Sequence, residues 1–559
     1  MTDQTSRLQA LTNSAQVHFQ RGEFQAAERY LAEALRLAPE SAELWNNRGT
    51  AQAAAKQLEA ALASFTRSVE LQPLHPRALA NRANVLVQLQ RPSDAIGAFE
   101  KLLRVQPDFP YAIGHLIFCK LQCGSWSNLD ALCGRLYADL EAGKPAVTPS
   151  LATALLDKSP EQLRALQIVA RGQFTPAAAM WRGERYRHQK IRIAYVSSDL
   201  HAHATAVLMA GVFEHHDQSR FETVAISLGP DDASPMRARL KNSFHRFINA
   251  GGNSDAQIAS MMRQMEIDIA VDLKGYTSHA RPAIFAFRPA PVQVNYLGFP
   301  ATMAAEFIDY IIADRFTIPA PDEACFSEKV VRLPDSYQPN DRTREIAGNI
   351  PGRAELGLPE TGFVYCCFNN SFKIQPRIFD VWMRLLREIS GSVLWLLADN
   401  SPAVANLKRE AASRGVDPER LVFAPRARLE DHLARHRLAD LFLDTLPYNA
   451  HTTASDSLWA GLPVLTCIGG AFAGRVAAGI LNAAGLPELI TPALEEYESL
   501  ALSLAREPAR LASIRAKLAE HRDICPLFDV ERFTRHLERA YTEMWKCAER
   551  GEPPIRFDL

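Results

Sequence analysis

A chain of 559 residues is too long for one hydrophobic core, since single cores stop growing near roughly 250–300 residues, so about three folded units are expected. Hydrophobic residues at 47% and charged residues at 22% describe an ordered globular chain and exclude a disordered one. Lys plus Arg number 62 against 63 for Asp plus Glu, a balance that gives neither a basic field for a nucleic-acid backbone nor an acidic tail.

From the start of the chain, residues 1–16 lack the basic start and apolar core of a signal peptide, and no apolar run reaches the roughly 18 residues of a membrane span. A cytoplasmic location, with neither membrane nor nucleic acid as partner, is the expectation. Nine cysteines are scattered; Cys119, Cys123 and Cys133 lack a matching second pair or His at zinc spacing, so they read as reduced structural thiols and no metal is assigned.

Pro39, Pro73 and Pro107 lie 34 residues apart, the period of the tetratricopeptide repeat. In the same register Ala27, Ala61 and Ala95 mark a helix crossing that admits only a small side chain, Phe65, Phe99 and Leu31 add bulk, and Gly22, Trp45 and Gly49 complete the pattern. Beyond Asp108 the register decays, and the helical stretches 111–123 and 160–171 extend the stack to about residue 185. Asn13, Asn47 and Asn81 also recur at 34 residues. They are candidates to bind an extended polypeptide acceptor through backbone hydrogen bonds, or else residues bonded locally within each repeat.

After Gln189 short β-branched and aliphatic runs alternate with helical stretches, as in parallel sheets with crossover helices. Strands are expected at 191–196, 223–227, 267–273, 292–297 and 307–312, then, past a polar linker at 336–357, at 364–368, 393–397, 421–423, 441–443 and 464–467. The expected units are 1–185 (repeats and helical transition), 186–345 (first lobe), 346–525 (second lobe) and 526–559 (a C-terminal helix from Val530 to Arg550 returning to the first lobe). Loops after the strands are where ligands should bind.

In the segment 438–470 a strand ends at Asp444, a loop carries Tyr448, Asn449 and His451, and a helix opens near Thr453. Free amides and the helix dipole favour an anion there, with Thr452 and Thr453 adding hydroxyl donors. A diphosphate suits that position. Asp456 either closes a capping box or accepts from ribose hydroxyls. Lys373, between a strand and a helix opening near Pro376, is placed for a β-phosphate, or else is a solvated surface charge. No Asp-x-Asp pair occurs that would hold a divalent metal against such a group. The stretch 469–475 (GGAFAGR) reads equally as phosphate contact or helix entry.

The run LADLFLDTLPYNAHTTASDSLWAGLPV resembles the nucleotide-sugar motif of the O-linked N-acetylglucosamine (O-GlcNAc) transferases, and YVSSDLHAHATAVLM, DLKGYTSHARPAIFAFRPAPVQVNYLGFPATMAAEFIDYIIAD and FNNSFKIQP resemble further blocks in the same order. With the repeats, the resemblance covers nearly the whole chain. It implies a GT-B fold of two Rossmann-like α/β lobes behind a tetratricopeptide superhelix, UDP-GlcNAc as donor, no cofactor, and metal-free inversion at the anomeric carbon onto Ser and Thr hydroxyls of proteins. By the same resemblance Ala427, His432 and Arg435 would surround the uracil, Arg435 being otherwise an exposed helix residue. Asn370, Lys373, His451, Thr452, Thr453 and Asp456 would meet ribose and phosphates. His203, with His201 two residues away, is the candidate base, or else a helix cap or donor-positioning residue. Eukaryotic members carry His where this chain has Asp268, and the linker lacks their long insert, so the chain resembles a compact bacterial-type relative. A glycan, lipid or small-molecule acceptor, or a UDP-binding scaffold without turnover, are the rival readings.

Overall fold

The computed structural model describes residues 2–173 and 178–559, in two compact units, 2–147 and 148–559. The expected boundary at residue 185 falls inside the second unit, which takes in the helices Pro149–Leu155 and Ser159–Gln173.

The first unit is a stack of helices paired in antiparallel fashion, opening with Thr2–Gln20, Phe24–Leu37, Ala42–Ala54, Leu58–Leu71, Pro76–Gln88 and Pro92–Val105. Their starts are set locally: Ser41 accepts from the Leu44 amide, His75 from the Ala78 amide, and Pro76 and Pro92 occupy first-turn positions. The three 34-spaced alanines Ala27, Ala61 and Ala95 are each fully buried. A Cβ at Gly49 would sit 2.7 Å from the Phe65 ring, so the close crossing depends on glycine there.

The second unit carries two parallel sheets. The first lobe contains β1 (Ile191–Ser197), β2 (Phe221–Ser227), β3 (Arg246–Asn249), β4 (Ile269–Asp272), β5 (Val292–Asn295), β6 (Tyr310–Asp314) and β7 (Lys329–Leu333). The second lobe contains β8 (Val364–Cys367), β9 (Val393–Leu397), β10 (Leu421–Ala424), β11 (Leu441–Leu443), β12 (Val464–Cys467) and β13 (Ile490–Thr491); β14 (Phe557–Asp558) returns to pair with β7. The orders are β14-β7-β6-β5-β4-β1-β2-β3 and β10-β9-β8-β11-β12-β13. In each sheet the strand order reverses at one place, between β1 and β4 and between β8 and β11. Ligands of open parallel sheets bind beyond the carboxyl ends at such switch points.

Two chain crossings join the lobes. The segment 336–341, read from sequence as a polar linker, is buried: the Tyr337 amide donates to Asp314, Gln338 to Ser455 at 3.2 Å, and the Arg344 guanidinium pairs with Asp456. Tyr337 and Gln338 thus meet partners inside the protein instead of water, while Asn340 is buried with both side-chain amide atoms unpartnered among the described residues. The return crossing is the helix Val530–Glu549, which buries Val530, Phe533, Leu537, Tyr541 and Met544 and packs on β5, β7 and the helix Ala204–Glu214. Glu538 in that helix accepts from the Asp217 amide at 2.7 Å and bonds His216 at 3.0 Å. The crossings are pinned to each other by Asp335, which takes a bidentate bond from Arg532 at 2.8 and 3.0 Å. Among the described residues no helix is long and apolar enough to cross a membrane.

Candidate functional site

At the second lobe's switch point β8 leads into a 3₁₀ turn, Ser371–Lys373, and then the helix Pro376–Glu388. Lys373 projects from that turn, half-buried, donating to the Asn449 carbonyl at 2.8 Å with its ammonium 4.0 Å from the centre of the Tyr448 ring. It makes no ion pair among the described residues. Burial drives its pKa down to about 8, although Asp444 pulls the other way. Asp444, at the end of β11, is bound from three sides by the amides of Thr445 and Ala450 and the Thr466 hydroxyl, and burial lifts it to about 6. The nearby carboxylate therefore acts on the lysine from a distance, its oxygens bonded to other donors and not to the ammonium.

The loop after β11 brings His451 to the start of the helix Thr452–Trp459, as its N-cap residue but without a side-chain cap bond. Thr452 and Thr453 stand half-buried in the first turn, where unpaired amides and the positive dipole end coincide. His451 donates through Nε2 to the Ala473 carbonyl at 3.0 Å and stacks on Tyr448. Burial first, then Lys373, hold it neutral, near 3. The capping box with Asp456 does not form. That carboxylate is buried against Arg344, and burial lifts its pKa to about 6. The 469–475 loop supports this arrangement: Ala473 accepts from His451 and from the Asn449 amide, and Gly474 packs so closely on the Pro447 carbonyl that a Cβ would lie 2.5 Å from it.

On the far side of β8 the short helix Leu429–Arg435 carries His432 and Arg435. Arg435 is buried, not exposed; it donates to the Pro425 carbonyl at 2.6 Å and to His432 Nδ1, and lies over the Phe368 ring at 4.5 Å. His432 stands against Phe368, held neutral by burial and then by His436 and Arg435. Asn370 and Ala427 are exposed at the mouth, and Asn370 accepts from Arg426, which is paired with Asp399. Arg426, Asp399 and Arg344 carried no signal in the sequence, because each is recruited by a partner distant along the chain.

At the first lobe's switch point His203 follows β1 as the N-cap of the helix Ala204–Glu214, its Nδ1 accepting from the Thr205 amide at 3.2 Å. That is the capping geometry, and it coexists with a second contact: Asp199 Oδ2 lies 3.5 Å from the same nitrogen. His201 instead turns toward Asp232 at 3.6 Å. Asp268 stands apart from this group, at the amino end of β4, bonded to His188 and to the Arg192 amide. Whatever a His contributes there in eukaryotic members, Asp268 is at the opposite end of the sheet from His203.

In the repeat unit Asn47 and Asn81 are half-buried and Asn13 is exposed. Asn81 donates to the neighbouring repeat's Asn46 at 2.9 Å, and Asn13 accepts from Gln9 at 2.8 Å, so local bonding takes part of the column's capacity. Among the described residues no group of three His, Cys, Asp or Glu side chains is placed to hold a metal ion, and the nine cysteines are free thiols.

The profile of glycosyl transferase family 41 matches residues 166–348 and 343–537, and a tetratricopeptide-repeat profile matches 12–76. The chain is 37% identical over 377 residues to a probable UDP-N-acetylglucosamine–peptide N-acetylglucosaminyltransferase, SEC, of Arabidopsis thaliana, covering 66% of this chain and 39% of that protein. It is 30% identical over 477 residues to the UDP-N-acetylglucosamine–peptide N-acetylglucosaminyltransferase of Caenorhabditis elegans, covering 65% and 41%. The chain thus spans about two fifths of the length of the curated relatives it matches. Among solved structures, a mutant O-GlcNAc transferase of Thermobaculum terrenum matches over 99% of both chains with a TM-score of 0.71 at 27% identity. On the family profile, which takes in both lobes, and on the shared architecture, the chain belongs to glycosyl transferase family 41.

Proposed function

We propose that the chain is an inverting, metal-independent glycosyltransferase that moves N-acetylglucosamine from UDP-GlcNAc to Ser and Thr hydroxyls of proteins. The observation that carries this reading is Lys373: an ammonium at a switch point, beside a helix start, with no carboxylate of its own. A departing nucleoside diphosphate supplies the missing negative charge, and a preorganised cation there needs no metal to assist it. The named activities of the plant, nematode and bacterial relatives supply the donor and acceptor.

In this reading the helix start at Thr452, with both threonine hydroxyls, receives the phosphates. His432, steadied by Arg435, takes the uracil side with Ala427. Asn370 and Asp456 reach the ribose, Asp456 through the oxygen that Arg344 leaves free. His203 faces the acceptor as general base, and Asn13, Asn47 and Asn81 hold an extended acceptor segment through its backbone. A cytoplasmic site of action fits donor and acceptor.

Transfer of radiolabel from UDP-GlcNAc to a protein lysate in the presence of a chelator tests this directly. Labelling by the wild type that disappears with Lys373→Ala supports the reading. UDP binding by calorimetry with no labelled protein would move it to a non-protein acceptor or to a scaffold.

A further inference from the structure

Lys274 stands in the loop after β4 with 5% of its surface exposed, a depth lysine rarely reaches without a partner. Its ammonium lies 2.6 Å from Asp199 Oδ2, in the loop after β1, so the pair spans the first lobe's switch point. Asp199 is also buried and accepts from Ser198 at 3.1 Å through its other oxygen. His203 Nδ1 reaches the same Oδ2.

That nitrogen has two incompatible options. When it accepts the Thr205 N–H, the neutral ring carries its hydrogen on Nε2 and has no lone pair to offer there. When Nδ1 carries the hydrogen and donates to Asp199, the Nε2 lone pair is open, and Nε2 makes no hydrogen bond among the described residues. A lone carboxylate at this distance would favour the charged imidazolium, which cannot act as a base. Burial and the Lys274 ammonium oppose that pull and hold His203 below its ordinary value. The other charged groups nearby are His201, whose ring is 5.9 Å away, and Asp232, which bonds the Ala202 amide; Arg237 fixes the Leu200 carbonyl at 2.6 Å.

We propose, resting on the reading of His203 as the base, that Asp199 and Lys274 are its positioning pair: Asp199 takes Nδ1–H so that Nε2 is free, and Lys274 offsets the carboxylate charge so that the ring stays unprotonated. The acceptor O–H proton passes to Nε2 as its oxygen bonds the anomeric carbon. The bond from that carbon to the β-phosphate oxygen breaks, and its electron pair leaves with UDP. The imidazolium so formed keeps Nδ1–H on Asp199 and later returns its proton to solvent.

In the full chain, Lys274→Met is expected to move the acid limb of kcat/KM upward by about one pH unit. Asp199→Asn is expected to move it downward and to lower the plateau about tenfold or more. The double variant removes both charges and should return the limb close to its wild-type position. A 15N NMR titration of His203, assigned by the signals lost in His203→Ala, should give the same order of midpoints without any substrate. Coincident midpoints in wild type and Lys274→Met, with His203→Ala inactive, would overturn the pair alone. Full activity of His203→Ala would overturn the base reading and, with it, the pair's part in proton transfer, whatever the ring titrations show.

Discussion

Each lobe places a lysine beside an aspartate at the switch point of its sheet, and the two pairs differ in one respect. In the first lobe Lys274 and Asp199 touch at 2.6 Å, both buried, and cancel. In the second, Lys373 has only the Asn449 carbonyl and the Tyr448 ring, because Asp444 is held by Thr445, Ala450 and Thr466. The difference separates two uses of one residue type. In the proposed reading the cancelled charge shapes its neighbours, whereas the unpaired one awaits a ligand's charge.

The comparison breaks most visibly at Lys373. Lys373→Ala should lower kcat for sugar transfer by about 10²-fold or more while weakening calorimetric UDP binding far less, since the charge counts most when the diphosphate departs. An equal loss in both would mean that Lys373 only binds. Stability should separate the lysines next. Lys274→Met leaves Asp199 buried without its partner and should cost about 3–5 kcal/mol, seen as a lower urea midpoint for the catalytic unit. Lys373→Met removes an uncompensated charge and should leave that midpoint unchanged or raised.

A pH profile sharpens the contrast. Lys373 is held near 8, below the ordinary value for lysine, so its ammonium is present below that pH and lost above it. The alkaline limb of kcat/KM should lie near pH 8 and vanish in Lys373→Arg, which stays charged throughout. A limb that persists in the arginine variant would assign it to another group. The smallest effect is expected far from either lysine: replacing Asn13, Asn47 and Asn81 together by Ala should reduce labelling of protein acceptors several-fold and leave both pH limbs in place.

Much of this architecture was legible in the sequence where the contacts are local. The repeat shows itself through Pro39, Pro73 and Pro107 because each helix packs on its sequence neighbours. Strands β9, β11 and β12 match their expected bounds because buried apolar runs need no long-range information. The strands not foreseen are β3, β7, β13 and β14. β3 mixes Arg and Asn with Phe and Ile at a half-exposed sheet edge, and β13 and β14 have two residues each, too few for any period. In the candidate site, Lys373, His451 and the threonines could be proposed from sequence because they lie on continuous motifs. The Asp199–Lys274 pair was not, since 75 residues separate its members and only the adjacency of β1 and β4 brings them together. Arg344 was hidden for the same reason, inside a segment whose polarity suggested solvent.

The two lobe crossings carry a consequence for chain continuity. Gly348 and Asn349 are exposed just beyond the buried crossing, and a cut there would divide the protein into two pieces. The second piece would still own the helix Val530–Glu549 and β14, both seated in the first lobe, and the first would still own Arg344, seated against Asp456. Each fragment would thus keep an arm embedded in the other, a reciprocal clasp that does not depend on the bond after Gly348.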